Sequence, residues 1–196
     1  MEDRQEEIRE DSRKWRPYFL FVLLIILLDQ STKFWVHFNM DLGLPGQIIL
    51  IDDWFKIYYA TNTGMAFGWN WDFPYGKLSL SLLRLSICIG LLSYLVIGKA
   101  RKYKLPISLV AGGAIGNLID NIFYGVWFGN AVADSSTPWF HGKVIDMMYL
   151  DLYDGYFAAW VPIIGGNPVT FWPVFNFADI FIFLGIGLLV RAMLKK

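Results

Sequence analysis

Asp146 and Asp179 stand at the outer ends of apolar stretches in a chain built for lipid, and no other pair of side chains in it has comparable chemical potential. An ionisable group near a bilayer core costs about 2.5–3.5 kcal/mol on insertion scales, so it marks a functional site by default. Two carboxyl groups a few ångströms apart cannot easily both ionise, so the pair shares one proton. One carboxylate can then take a proton from water while its partner donates one to the carbonyl oxygen or leaving amine of an amide. That is aspartic-type peptide hydrolysis, which needs no metal, no cofactor and no covalent intermediate.

Other chemistries find less support. The two histidines, His37 and His141, are too few and too scattered for an HExxH-type metal site, and both read as interfacial. There is no Gly-Xaa-Ser-Xaa-Gly elbow for a serine hydrolase, and the single Cys88 reads as a small buried hydrophobe with no adjacent base. Gly112-Gly113-Ala114-Ile115-Gly116 lies in an apolar span with no strand before it, which favours close helix packing or substrate approach over a nucleotide loop. No basic patch of nucleic-acid type is visible.

The elements that must carry these residues follow from hydropathy. The chain has 196 residues, 56% hydrophobic and 18% aromatic, with zero formal net charge, a composition far from that of a soluble domain. Crossing the roughly 30 Å hydrocarbon layer takes about 20 largely apolar residues. Four windows qualify, at about 17–38, 78–98, 105–123 and 174–194. The expected fold is a single integral membrane domain, mainly α, with four transmembrane helices, a small extracytoplasmic β-rich segment and an interfacial loop. The first span lacks a small-residue cleavage site and reads as a retained helix.

Charge asymmetry orients the chain. Twelve basic residues lie in the arm 1–16, the link 99–104 and the tail from Arg191, against three (Lys56, Lys77 and Lys143) in the segments 39–77 and 124–173. By the positive-inside rule both termini face the cytoplasm and the two long segments lie outside. Seven of the nine Trp fall in those outer segments, which suits chains lying on the bilayer surface. The mixed charges of residues 1–16 read as a solvated arm. Within the first outer segment, Gln47–Ile51 and Trp54–Tyr59 are β-prone runs and read as a small hairpin or curved sheet, broken by Asn62-Thr63-Gly64. The second has no strong periodicity and reads as a lid or loop.

At a rise of about 1.5 Å per residue, Asp29, Asn117 and Asp179 each sit about 18 Å above the cytoplasmic end of their own span, and Asp120 about 22 Å. Three helices thus place polar groups in one layer, and Asp146 could dip into it. An alternative remains open in which Asp29 and Lys33, at i and i+4, form only a structural ion pair while Asn117, Asp120 and Asn176 merely bond helices together.

Five ordered blocks carry a family resemblance: Leu28-Asp29-Gln30-Ser31-Thr32-Lys33, Asn62-Thr63-Gly64-Met65-Ala66-Phe67-Gly68, Gly112 through Asp120, Val144-Ile145-Asp146 and Phe175-Asn176-Phe177-Ala178-Asp179. Together with four spans they resemble lipoprotein signal peptidase (signal peptidase II), the aspartic protease of the bacterial plasma membrane. The resemblance implies that Asp146 and Asp179 are the catalytic pair, with Asn117 and Asn176 orienting them or the substrate. It makes Asp29 and Lys33 the first-helix pair, Asn62 and Gly64 loop contacts near the substrate, and Asp120 a further site residue. The implied partners are membrane lipids and a prolipoprotein whose cysteine already carries diacylglycerol, cut just before that cysteine. One departure stands out: the family commonly has Arg after Leu-Ile-Asp, whereas this chain has Asn121, so the contact is absent or comes from a residue such as Arg84 or Lys143. The rival readings are a proton-coupled transporter using the aspartates as a relay and a lipoprotein-binding assembly factor without turnover.

Overall fold

The structure is a computed structural model describing residues 2–52, 54–63, 75–133, 135–156, 158, 160, 162, 165–171 and 174–195. The chain forms two compact units: Met1–Thr32, Asn62–Val144 and Phe177–Lys196 in one, Lys33–Thr61 and Ile145–Asn176 in the other.

The first unit is helical. Helix α1 runs Glu2–Asn39, its residues from Lys33 onward belonging to the second unit, followed by α2 (Gly76–Ile97), α3 (Arg101–Ile119), α4 (Gly125–Trp127) and α5 (Phe177–Leu194). A π turn, Asp120–Tyr124, joins α3 to α4 without a break, so the third span is continuous from Arg101 to Trp127. Among the described residues, four stretches are long and apolar enough to cross a membrane: Trp15–Asn39, Gly76–Ile97, Arg101–Trp127 and Phe177–Leu194. The protein is a multi-pass membrane protein, mostly helical, with a small antiparallel sheet. Its outward faces carry Leu20, Leu24, Ile87, Phe183 and Ile186, each at least half exposed in the bare chain, as helices bathed in hydrocarbon require.

The Arg101–Trp127 span is the most buried of the four, because α1, α2 and α5 all pack on it. Small residues set those distances. A Cβ on Gly112 would stand 2.8 Å from Ile25 Cβ of α1, and one on Gly185 of α5 would stand 2.6 Å from Val110 Cγ2. A Cβ on Gly113 would overlap the Ala178 carbonyl oxygen. Where lipid is as apolar as leucine, such close backbone approach supplies much of the association. At the end of the bundle near the α2–α3 link, Val22, Leu95, Ile107 and Ala111 form a compact core.

The second unit is built on the end of α1, a 3₁₀ turn at Leu44–Gly46 and six strands: β1 (Ile48–Ile51), β2 (Phe55–Asn62), β3 (Val144–Leu150), β4 (Tyr153–Tyr156), β5 (Pro168–Phe171) and β6 (Val174–Phe175). One sheet has the order β1-β2-β3-β6, and β4 pairs with β5 separately. The expected hairpin is present, with Ile48 opposite Ile57 and a bulge between Ile49 and Ile51. The second outer segment, read as a lid or loop, instead contributes three strands, β3 to β5. Its periodicity is silent because β3 is buried from Val144 to Met148 on both faces, so no apolar–polar alternation survives. The fourth span starts later than expected for the same reason. Val174 and Phe175 pair with Tyr149 and Met148, and the helix begins only at Phe177.

Candidate active site

In the helical unit the predicted polar layer is knitted by hydrogen bonds. Asp29 is fully buried, and its Oδ1 accepts from the Ala178 backbone N–H at 3.0 Å. That amide lies in the first turn of α5, among the donors that an α-helix leaves without an internal partner. Asp29 therefore caps α5 from another helix, where the positive end of the helix dipole favours a carboxylate. Asp179 occupies the same first turn, and its Oδ1 accepts from Asn117 Nδ2 of α3 at 2.9 Å. Gly116 makes room, since a Cβ there would stand 2.6 Å from Asp29 Oδ2.

Gln30 is the junction of this network. Its Nε2 lies 3.1 Å from Asp29 Oδ2, 3.1 Å from the Gly116 carbonyl and 3.0 Å from Asp120 Oδ1, and its Oε1 accepts from the Tyr124 hydroxyl at 2.9 Å. Asp120 and Tyr124, both fully buried, lie at the two ends of the π turn. A π turn widens the helix and releases carbonyls from their usual partners, a distortion frequent at functional sites. Two carbonyls of the turn accept from a strap: Gly142 N–H donates to Asn121 O at 3.0 Å and Phe140 N–H to Ile122 O at 3.3 Å. Gly142 is required there, because a Cβ would overlap the Asp120 carbonyl. Phe140 itself takes a left-handed backbone, φ 63°, with its carbonyl held by Ser81 Oγ of α2 at 2.8 Å.

Arg84 contacts Asn121 itself. From α2 its Nη1 donates to Asn121 Oδ1 at 2.6 Å, and Asn121 is fully buried. The backbone N–H and carbonyl of Lys143 pair with Asn130. Tyr124 and the strap carry no signal in a linear reading, because their contacts arise only at the π turn. For Gln30 the hint was its position inside the first matched block.

In the sheet unit Asp146, 4% exposed, projects from β3, and its Oδ1 accepts from Asn176 Nδ2 at 2.7 Å. The same amide nitrogen reaches the Ile145 carbonyl at 3.2 Å. Asn176 is fully buried directly after β6, whose pairing with β3 sets it beside Asp146. Lys33, on the last turns of α1, is also fully buried. His37 Nδ1 and the Tyr59 hydroxyl lie 2.8 Å apart, and burial pushes the Tyr59 phenol above its ordinary value.

The structure thus joins Asp29, Asn117, Asp120 and Asp179 within the helical unit, and Asp146 with Asn176 within the sheet unit. Asn62 closes β2. Gly64 lies outside the described residues. Among the described residues, no group of three His, Cys, Asp or Glu gathers closely enough to hold a metal ion.

With this geometry in place, comparison with known proteins is decisive at the level of family. A family model described as "Signal peptidase (SPase) II" matches residues 21–195. The chain belongs to the signal peptidase II family. It is a protease by that membership. A lipoprotein signal peptidase of Amoebophilus asiaticus is 42% identical over 181 residues, covering 90% of this chain and 76% of the relative. One from Porphyromonas gingivalis is 40% identical over 186 residues, covering 86% and 79%. Two solved bacterial membrane enzymes share the fold at a TM-score of 0.62, with 23% and 24% identity. They cover 91% and 92% of this chain, and 88% and 94% of their own.

Proposed function

We propose that this protein is an aspartic endopeptidase that removes the signal peptide from diacylglyceryl-modified prolipoproteins, cutting just before the lipidated cysteine. Asp146 and Asp179 form the pair that activates water. One carboxylate accepts a proton as water attacks the scissile carbonyl carbon; the other donates one so that the C–N bond breaks and the amine leaves neutral. The observation that carries the reading is that both acids of the matched blocks are held by asparagine amides, Asp146 by Asn176 and Asp179 by Asn117. Such bonds fix one oxygen of each carboxylate and so its orientation, as a general acid–base pair demands.

The supporting residues take roles consistent with their contacts. Asp29 anchors the start of the helix that carries Asp179, and Gln30 links Asp29 to Asp120. Lys33, Asn62 and Gly64 serve the substrate side. Both termini face the cytoplasm, the active site opens to the extracytoplasmic leaflet, and the substrate's acyl chains lie among the helices. The relatives' name, lipoprotein signal peptidase, supports the choice of substrate.

The test is cleavage of a diacylglyceryl-modified lipobox peptide by purified protein in lipid. Asp146→Asn and Asp179→Asn keep side-chain shape, and each should lower turnover by about 10²–10⁴-fold, the usual weight of a general acid or base. Unfolding in a detergent titration should stay close to that of the parent. Near-full turnover by either variant sinks the dyad. Cleavage that demands both acids but ignores lipidation sinks the substrate class while sparing the chemistry.

A further inference from the structure

The basic end of the helical bundle holds a cleft that the peptidase reaction does not use. It has a volume of about 260 Å³ and is lined by Lys102, Leu105 and Pro106 of α3, by Leu188, Arg191 and Ala192 of α5, and by Lys195 just beyond α5. Three of its seven lining residues are cations and none is an acid. Arg191 and Lys195 stand at i and i+4, with Lys102 facing them from α3, its Nζ 3.4 Å from the Lys195 carbonyl. Three like charges around one hollow repel one another unless an anion lies among them.

A second feature points the same way. α3 begins at Arg101, and its N-cap, Ala100, has no side chain able to bond the first-turn amides. A helix start left so is positive and favours an oxyanion. The remaining lining is apolar, with Leu105 and Leu188 exposed at 41% and 37% in the bare chain. Both belong to spans long and apolar enough to cross a membrane. Cations and leucines lining one hollow match one class of molecule, an anionic phospholipid with its phosphodiester among the cations and its acyl chains against the leucines. Basic hollows between spans are known lipid head-group sites in general.

We propose that this cleft is a site for an anionic phospholipid, bound between α3 and α5. A lipid seated there bridges the two helices that carry Asn117 and Asp179, so it stabilises the fold by mass action without touching the reacting groups.

The experiment uses the full chain, stripped of lipid in neutral detergent and titrated with phosphatidylglycerol, phosphatidylcholine of identical chains, or inorganic phosphate, with binding read by native mass spectrometry. Phosphatidylglycerol should bind preferentially. Lys102→Gln with Arg191→Gln should weaken it about thirtyfold, while Lys99→Gln with Arg101→Gln, equal in charge and outside the cleft, should change it by less than about threefold. Equal loss in the two double variants reduces the effect to general surface charge and overturns the site. Equal binding of phosphatidylcholine removes the anion preference, and inorganic phosphate binding as tightly as the lipid makes this a free-anion site; each overturns the proposal. A photoreactive phosphatidylglycerol on the unmodified protein gives a readout that needs no variant. Labels confined to residues 102–106 and 188–195 support the site, and labels spread over every basic segment refute it.

Discussion

Replacing Gly116 by alanine adds one methyl group at the place where the network is tightest. The new Cβ would stand 2.6 Å from Asp29 Oδ2, 3.2 Å from its Cγ and 3.4 Å from Ala178 Cβ, so the carboxylate must move. It cannot move freely. Oδ1 is held by Ala178 N–H at 3.0 Å and Oδ2 by Gln30 Nε2 at 3.1 Å. Overpacking costs about 1–3 kcal/mol, and losing one hydrogen bond to a charged group about 1.5–3 kcal/mol. Alanine returns about 0.5–1 kcal/mol of helix preference. The net expectation is about 3 kcal/mol of lost stability, with activity falling as well because Asp29 holds the turn that presents Asp179. Gly90→Ala and Gly187→Ala are matched controls, since a Cβ at either meets nothing within 4 Å and should be neutral or slightly stabilising. Equilibrium unfolding in mixed micelles gives the stabilities, and peptide cleavage gives the activity. In an Asp29→Ala background the added methyl should cost little, so the two substitutions should couple by at least about 1.5 kcal/mol. If Gly116→Ala unfolds like Gly90→Ala, or if the two changes simply add, the packing argument is wrong.

Other expectations follow from the same contacts. Gln30→Leu keeps volume but withdraws the donor shared by Asp29 and Asp120 and the acceptor of Tyr124; a loss of about 2–4 kcal/mol is expected in the same unfolding assay. Arg84→Gln gives up the 2.6 Å bond to buried Asn121 and should lower cleavage about 10–100-fold; Arg84→Lys should fall between, as a point charge replaces a planar fork. Burial favours the neutral Tyr59 phenol in the fold, so its contribution is complete below about pH 10 and is lost as pH rises through the raised folded value. Unfolding measured against pH should therefore show a shallower alkaline decline in Tyr59→Phe.

Hydropathy made much of this fold legible before any coordinates. An apolar run of about 20 residues can satisfy its backbone in lipid only as a helix, so four spans were legible as local properties. Their helical starts and ends were not, because a span's end depends on its partner. Val174 and Phe175 looked like the opening of a helix, yet they pair with β3. The rise of a helix is fixed as well, so the common height of Asp29, Asn117 and Asp179 could be counted along the chain. The hydrogen bonds from Asn117 to Asp179 and from Ala178 to Asp29 bear out that count.

What the residues alone could not supply lies where one segment's chemistry is created by another's position. The π turn at Asp120–Tyr124 has nothing unusual in composition, and two of its carbonyls accept from the strap from Pro138 to Lys143 because that strap folds back onto it. Gln30 and Arg84 are ordinary letters until helix packing brings a carboxylate or an asparagine oxygen within bonding distance. Strand β3 hid its period because both its faces are covered, and coverage belongs to neighbours and not to sequence. Rise per residue and transfer energy are properties of each segment alone, whereas the partners of a buried polar atom are decided by the packing of the whole.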